Sequence, residues 1–336
     1  MNRINKLTRW ASALMAVGAV GAMPVAHAEI EIGKGLSVTG FLDMSYSSVK
    51  PDGGSSSKSA GIDQFETDFL YAGSGGVSAE VDVEYAGAGK DPVYGDNVTF
   101  VEQAFVTKAI TDAFSVKVGR FLSYSGWEAE EPTGLFQYSG TGYAKYFYGY
   151  YQNGVSAAYK GGKFAVMGSA VTSAFNPKDR NEIKTAPDKN DKMGYEGGLA
   201  VMPIEGLTAK AFYITDGDSD TDIINTWVSY AVAGFTFAGE YNNVNYGSSA
   251  ANADGDGDGY LLMANYATGP YGITLRYHDF EIKDSAGATV DDGSAFTISP
   301  SYKVGDNWLI VGEYRMDKSD TNGDSNSYAL EALFTF

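Results

Sequence analysis

Cysteine is absent from the sequence, which excludes disulfides and thiolate-ligated metals. Histidine is almost absent. Of the two, His27 lies in the N-terminal stretch and only His278 in the body, so a Ser-His or His-rich metal mechanism would have to run through one imidazole. Basic residues are scarce as well: 24 Lys and Arg stand against 42 Asp and Glu, a formal charge of −18. Phosphate backbones need cations opposite them, so no nucleic-acid partner is expected. Most of the nine prolines fall in connecting segments or near the N-terminus, because a hydrogen-bonded ladder has no place for them. Pro300, inside "FTISPSYK", is the exception and predicts a bulge. No long uninterrupted apolar run follows residue 28, which leaves no candidate transmembrane helix.

What is present begins with "MNRINKLTRW", which carries Arg3, Lys6 and Arg9. A short apolar run from Ala11 to Ala22 follows, and then the small-residue exit Ala26, His27 and Ala28. These three parts make a secretory signal peptide, expected to span residues 1–28 and to be cleaved, leaving residues 29–336 as the folded unit. The apolar run falls short of the roughly 20 residues that would cross a bilayer as a helix.

The remainder alternates. "VSAEVDVEY" puts Val77, Ala79, Val81, Val83 and Tyr85 on one face and Ser78, Glu80, Asp82 and Glu84 on the other. "GFTFAGEYN" sets Phe235, Phe237 and Tyr241 against Thr236 and Glu240, and "YGITLRYHDF" sets Tyr271, Ile273, Leu275 and Tyr277 against Thr274, Arg276 and His278. The C-terminal "SYALEALFTF" places Tyr328, Leu330, Phe334 and Phe336 opposite Ser327, Glu331 and Thr335. This is the period of strands, not of helices.

Connections alternate too. Tight ones, such as Gly73–Gly76, Gly161–Gly162, Pro203–Gly206 and Gly305–Asn307, are interleaved with long ones such as "VKPDGGSSSKSA", "VTSAFNPKDRNEIKTAPDKND" and "YGSSAANADGDGDG". Short and long in turn is the signature of an up-and-down meander with one end free to grow. Counting segments predicts about sixteen strands, with eight long loops, seven tight turns and both termini on the tight-turn side. A soluble sandwich would turn its apolar face inward; a membrane barrel turns it to lipid. The signal peptide, the one-sided loop lengths and the apolar face of the C-terminal strand favour the barrel. So do Tyr46, Tyr85, Trp308, Tyr314 and Tyr328 toward strand ends. The expected fold is all-β: a transmembrane antiparallel up-and-down β-barrel in the bacterial outer membrane, in contact with its lipid.

Two stretches carry resemblances. The C-terminal strand, with Phe336 last and apolar residues at every second position, resembles the insertion signal of bacterial outer-membrane barrels. That resemblance implies recognition of Phe336 by the barrel assembly machinery. "VEQAFVTKAITDAFSVKVGRFLSYSGWEAEEP", Val101 to Pro132, is similar to the beta-barrel porin-2, OmpL-like family, with Gly119, Arg120, Phe121, Gly126 and Glu128 in its motif positions. "SYSGW" departs from it, lacking the Pro expected before the Gly. The resemblance implies a porin-like role and no particular solute.

In a barrel of this size water enters the lumen. By parity, Asp43, Glu66, Asp68, Glu80, Asp82, Glu84, Glu102, Glu240 and Glu331 would line it, with Lys117, Lys210, Arg276, Lys303 and Arg315 as the basic candidates. Acids gather on early strands and bases on late ones; both signs either set a field across the pore or merely hydrate it. The loop from Ser123 to about Gly142 holds Trp127, Leu135, Phe136 and Tyr138, too apolar for full solvation. It either folds inward as a constriction, with Glu128, Glu130 and Glu131 facing the passage, or packs on the rim or a neighbouring barrel. The run from Tyr143 to Tyr151 reads as a strand with aromatics on both faces, one row in a girdle and the other filling space or stacking sugar rings. Asp254, Asp256, Asp258 and Gly259 match the first half of a calcium-binding loop. Position twelve is Asn265, however, so loop tips holding divalent ions loosely are the default.

The functional expectation is passive diffusion of small hydrophilic solutes or ions, with a preference for cations, no cofactor and a homo-oligomer as the assembled form. An adhesin or structural barrel with ligand-binding acidic loops is the main alternative. A barrel enzyme is the lesser one, since His278 stands beside Asp279 with no evident Ser partner.

Overall fold

The computed structural model describes residues 29–86, 98–128, 131–175, 192–247 and 255–336. The segment expected to be a signal peptide, residues 1–28, lies outside the described residues. So do Glu130, Asp254 and most of "VTSAFNPKDRNEIKTAPDKND".

Seventeen strands run in chain order. They are β1 (Ile30–Gly33), β2 (Leu36–Pro51), β3 (Ser57–Ala72), β4 (Val77–Ala86), β5 (Val98–Ala109) and β6 (Phe114–Leu122). Next come β7 (Tyr151–Lys160), β8 (Phe164–Val171), β9 (Gly194–Val201), β10 (Leu207–Asp216), β11 (Thr221–Val232) and β12 (Phe235–Tyr246). The series ends with β13 (Gly255–Thr268), β14 (Tyr271–Lys283), β15 (Thr289–Val304), β16 (Trp308–Lys318) and β17 (Ser325–Thr335). Each of β2 to β17 pairs antiparallel with its sequence neighbours, and β17 returns to β2 from Ser325↔Pro51 to Thr335↔Phe41. The ring is therefore closed by sixteen strands, and β1 is a short flap hairpinned onto β2. Closure pairs every strand edge, as hydrocarbon demands.

Adjacent leucines on β13 settle which way the faces point. Leu261 is fully buried, whereas Leu262 is 60% exposed. The same alternation on β12 buries Thr236, Glu240 and Asn242 and exposes Phe235, Phe237 and Tyr241. An outer surface of Phe, Tyr, Val, Leu and Ile around an interior of Thr, Ser, Asn, Glu and Arg suits lipid outside and a polar lumen. Aromatic pairs gather beside the tight turns: Phe235 with Tyr266 (4.5 Å between centroids), Tyr271 with Tyr302 (5.1 Å) and Trp308 with Phe334 (4.8 Å). These form one interfacial girdle; Tyr314 with Tyr328 (4.8 Å) and Tyr260 with Tyr277 (6.1 Å) lie nearer the opposite rim.

Seven tight turns close one rim and eight connections the other, as the alternation predicts. Three local expectations fail. Pro300 makes no bulge: β15 and β16 keep register from Ile298↔Tyr314 to Ser301↔Val311, and the ladder simply lapses at the proline. Among the described residues, register shifts occur instead at Glu31/Gly33, Asp43/Met44, Asp82/Val83 and Ile282/Lys283. "DGDGDG" is no loop tip either. Gly255 begins β13, and strand geometry turns Asp256 and Asp258 to the exposed face, where Asp258 accepts a hydrogen bond from Asn243. The acidic side chains thus stand in a row along a strand and cannot wrap an ion as a calcium loop does. The third failure is the tyrosine run. It is not a strand before Tyr151: it forms a one-turn helix, α1 (Ala144–Phe147), and an extended segment, both part of the preceding loop.

Candidate functional site

The connection from Ser123 to Tyr150 enters the barrel. Its aromatics provide the reason: Trp127, Tyr143, Phe147, Tyr148 and Tyr150 are buried in one cluster with the inward side chains Ile214, Ile223, Trp227, Val244, Leu261 and Ile282. Those wall residues line β10 to β14 and form the main part of the largest apolar cluster inside the barrel. Trp127 stacks on Phe136 (6.2 Å) and meets Trp227 edge-on (5.3 Å). Burying such rings removes some 150–250 Å² each from water, enough to draw a loop inward. Tyr138, farther along, covers a smaller cluster of Phe41, Leu309, Val311 and Leu333.

Buried polar groups fix the position. Glu240 on β12 accepts from Trp127 N (2.7 Å), Asn225 Nδ2 (2.8 Å) and the hydroxyls of Tyr143 (2.7 Å) and Tyr148. Glu196 on β9 accepts from Ser123 Oγ (2.8 Å) and Tyr124 N (3.0 Å). Gly126 takes φ 96°, which a side chain rarely adopts, and a Cβ there would lie 2.7 Å from the Tyr148 ring. Glu313 on β16 accepts from Ser139 N (3.0 Å).

Arg276 and Arg315 complete the anchorage. Arg276 Nη1 pairs with Glu128 Oε1 at 2.6 Å and donates to Ser139 O at 2.5 Å. Arg315 donates to Gly140 O (2.6 Å) and pairs with Asp317 (2.6 Å). Glu128 also caps Thr141 N (2.8 Å) and takes a hydrogen bond from Gln137 (2.9 Å). The expectation that Glu128 faces the passage is therefore corrected: its carboxylate closes a turn of the loop and neutralises a wall arginine. Glu131 accepts from Gln64 Nε2 (2.9 Å) on β3 and Tyr151 OH (3.1 Å). Tyr143, Tyr148 and Tyr150, expected on a strand with one aromatic row in a girdle, are all inside the barrel because the helical turn α1 leaves the wall.

On the opposite wall the carboxylates face one another. Glu66 pairs across the ladder with Glu84, and Asp68 with Asp82; Glu80 sits opposite Leu70. Gln103 Nε2 donates to Asp82 Oδ2 at 2.6 Å. Glu66, Asp82, Glu84, Glu102, Asp43 and Glu331 are buried, and Asp68 and Glu80 half-buried. Glu331 has Asp43, Glu313 and Asp63 as charged neighbours. Like charges opposed across a ladder destabilise it, so this wall is held by the rest of the barrel. The basic candidates are scattered. Lys117 lies over the Phe105 ring (4.1 Å) beside Glu80, Lys210 over Trp227 (4.8 Å), and Lys303 near a tight turn.

Arg120, Glu196 and Asn225 were not singled out by sequence parity. Gly119, at φ 136°, interrupts the alternation, and both Arg120 and Phe121 are buried behind it. Glu196 hides in "GYEGGLA", where Gly197 takes one outward position and Gly194 and Gly198 flank Glu196 on its own face. Outward Tyr195, Leu199 and Val201 were the available signal. His278 and Asp279 fall on successive, opposite positions of β14. His278 is buried against Tyr143 (5.6 Å), and Asp279 accepts from outward Tyr277 (3.2 Å), so they form no catalytic pair.

The sequence matches the family model described as Gram-negative porin over residues 11–322. No curated protein sequence matches it. Among solved structures, it resembles the outer-membrane OmpT of Vibrio cholerae at 14% identity and TM-score 0.63, over 92% of this chain and 100% of that one. An anion-selective porin from Comamonas acidovorans is similar at 15% identity and TM-score 0.64, over 90% and 99%. The outer-membrane channel DcaP of Acinetobacter baumannii gives 14% and 0.64, over 91% and 99%. The narrower likeness of Val101–Pro132 to the OmpL-like family stands only as a resemblance. With the closed barrel, the inverted faces and the inserted loop, the chain belongs to the Gram-negative porin family and is an outer-membrane channel for small solutes.

Proposed function

We propose that the channel prefers cations. The observation that carries this is the pairing of Glu66 with Glu84 and Asp68 with Asp82 on the inner wall, while Arg276 and Arg315 are engaged by loop carbonyls, Glu128 and Asp317. Asp43, Glu66, Asp68, Glu80, Asp82, Glu84 and Glu331 then line the passage, and Arg276, Lys303 and Arg315 contribute less to its potential. Carboxylates two residues apart lie about 7 Å from one another along a strand, within a Debye length at physiological salt. The anion selectivity in the name of the Comamonas porin does not transfer at 15% identity, and the charge of −18 here argues for the opposite sign.

The test is the reversal potential across a planar bilayer in a salt gradient. The wild type should pass cations in preference, less so as salt rises. Replacing Glu80, Asp82 and Glu84 together by the amides should move the reversal potential toward zero. An anion-selective wild type, or an unmoved triple variant, rejects the proposal.

Assembly is part of the same reading. Phe336 N and O bond to Gly40 O and N at 3.0 Å each, so the residue offered to the assembly machinery is also the one that sits at the seam. A homo-oligomer is in keeping with the trimer form recorded for the Vibrio cholerae protein.

A further inference from the structure

We propose that a calcium-sized divalent cation binds between Glu66, Glu102 and Glu131, tying β3, β5 and the inserted loop together. One carboxylate oxygen from each lies within 4.8 Å of the other two. Oxygens on opposite sides of a calcium ion, at about 2.4 Å from it, are separated by at most about that span, so all three can reach one ion.

The sequence arranges this convergence in two ways. At the bulge, Asp82 pairs with Gln103 and Val83 with Val101, so Glu102 is the additional residue on β5 and is buried. Glu131 arrives from the loop, directly before the turn at Pro132–Gly134.

Among the described residues, the hydrogen bonds to the three carboxylates come from few donors. Tyr151 OH lies 2.9 Å from Glu102 Oε2 and 3.1 Å from Glu131 Oε1, but a phenol has one proton and donates to one of them. Gln64 serves Glu131 alone. Glu66 is only 4% exposed, and its Oε2 has no hydrogen-bond partner. Arg120, whose Nε donates to Glu102 O (2.9 Å) and whose guanidinium lies over the Tyr151 ring (5.4 Å), brings one positive charge to three negative ones. Among the described residues, that leaves two negative charges when all three carboxylates are ionised, which one divalent cation offsets. A hard cation with oxygen ligands is the species this donor set selects.

The site does not rest on the ionic preference proposed above. A pore without preference would hold the ion equally well, and the two tests fail separately.

Calorimetric titration of the purified, detergent-solubilised full chain with calcium chloride, after chelation, tests the site. One saturable site per chain is expected. Glu102→Gln and Glu131→Gln should each abolish it, and Tyr151→Phe should weaken it about tenfold, as loss of a ligand-orienting group does. The pair Asp256→Asn and Asp258→Asn, on the outer acidic row, should leave it intact. Heat-modifiable migration reports folding of each variant, and Glu131→Gln, in a loop, leaves the strand ladder untouched. A wild type without a saturable site overturns the proposal. So does a folded Glu131→Gln variant that binds as well as wild type, or loss of the site in the Asp256 and Asp258 pair.

Discussion

On the β9–β14 side of the lumen, Glu196, Asn225, Glu240 and Arg276 all hydrogen-bond to the inserted loop. On the β3–β4 side, Glu66, Asp68 and Asp82 each keep a buried oxygen without a partner. The two walls have similar strands, pairing and burial, yet their polar groups do opposite work. One wall uses its charges to fix a loop, although Arg276 Nε, Trp227 Nε1, Asn242 Nδ2 and His278 Nδ1 there also lack a partner. The other leaves carboxylate oxygens without a partner, which costs stability. With the preference proposed above, the lumen divides into a side that holds and a side that attracts.

The largest effect should come from the holding wall. Glu240→Ala strips the common acceptor from Trp127 N, Asn225, Tyr143 and Tyr148, and each stranded donor costs about 1–3 kcal/mol. A lower urea midpoint for loss of the heat-modifiable form and a larger, noisier single-channel conductance are expected. Unchanged conductance would mean the loop is held without Glu240.

Trp127→Ala comes next. It empties the contact with Trp227 and Phe136, a loss of about 3–5 kcal/mol for a well-packed large aromatic. Limited proteolysis in detergent should then cut within the Ser123–Tyr150 segment before any strand. Protection equal to wild type would show that the aromatic cluster is not what keeps the loop inside.

The attracting wall should respond with the other sign. Glu84→Gln relieves the opposition to Glu66 and should stabilise the barrel by up to about 1 kcal/mol, read as a slightly higher urea midpoint, while lowering cation preference. A destabilised Glu84→Gln variant would collapse the distinction between the walls.

Much of this was legible because a strand's two faces are written in strict alternation. Phe235, Phe237 and Tyr241 against Thr236 and Glu240 needed nothing beyond parity, and the strand number followed from the turns. The loop's inward path was half legible: Trp127 and Phe136 announced burial, but nothing local names the distant surface that a loop will meet. Tyr143–Tyr150 was misread for a related reason. Aromatics suit a strand, and only the apolar patch on β10–β14 makes a lumenal loop the better place for them. Glu128 was read as a free charge because its partner, Arg276, is 148 residues away. Gly119 and the bulge at Glu102 changed which side chains turn inward, and parity counting has no term for either.

The seam between β2 and β17 has a consequence for biogenesis. Thr39 Oγ1 donates to Phe336 O across 297 residues of sequence, so the hydrogen bonds that shut the ring join segments synthesised almost a whole chain apart. Until β17 emerges, β2 has an idle edge and half of the eventual lipid surface is without a solvent that suits it. Non-local pairing of this kind is slow and aggregation-exposed. Keeping the chain unfolded until both segments reach the membrane would avoid that exposure. A defect in the seam should leave material stranded in transit long before any pore is there to leak.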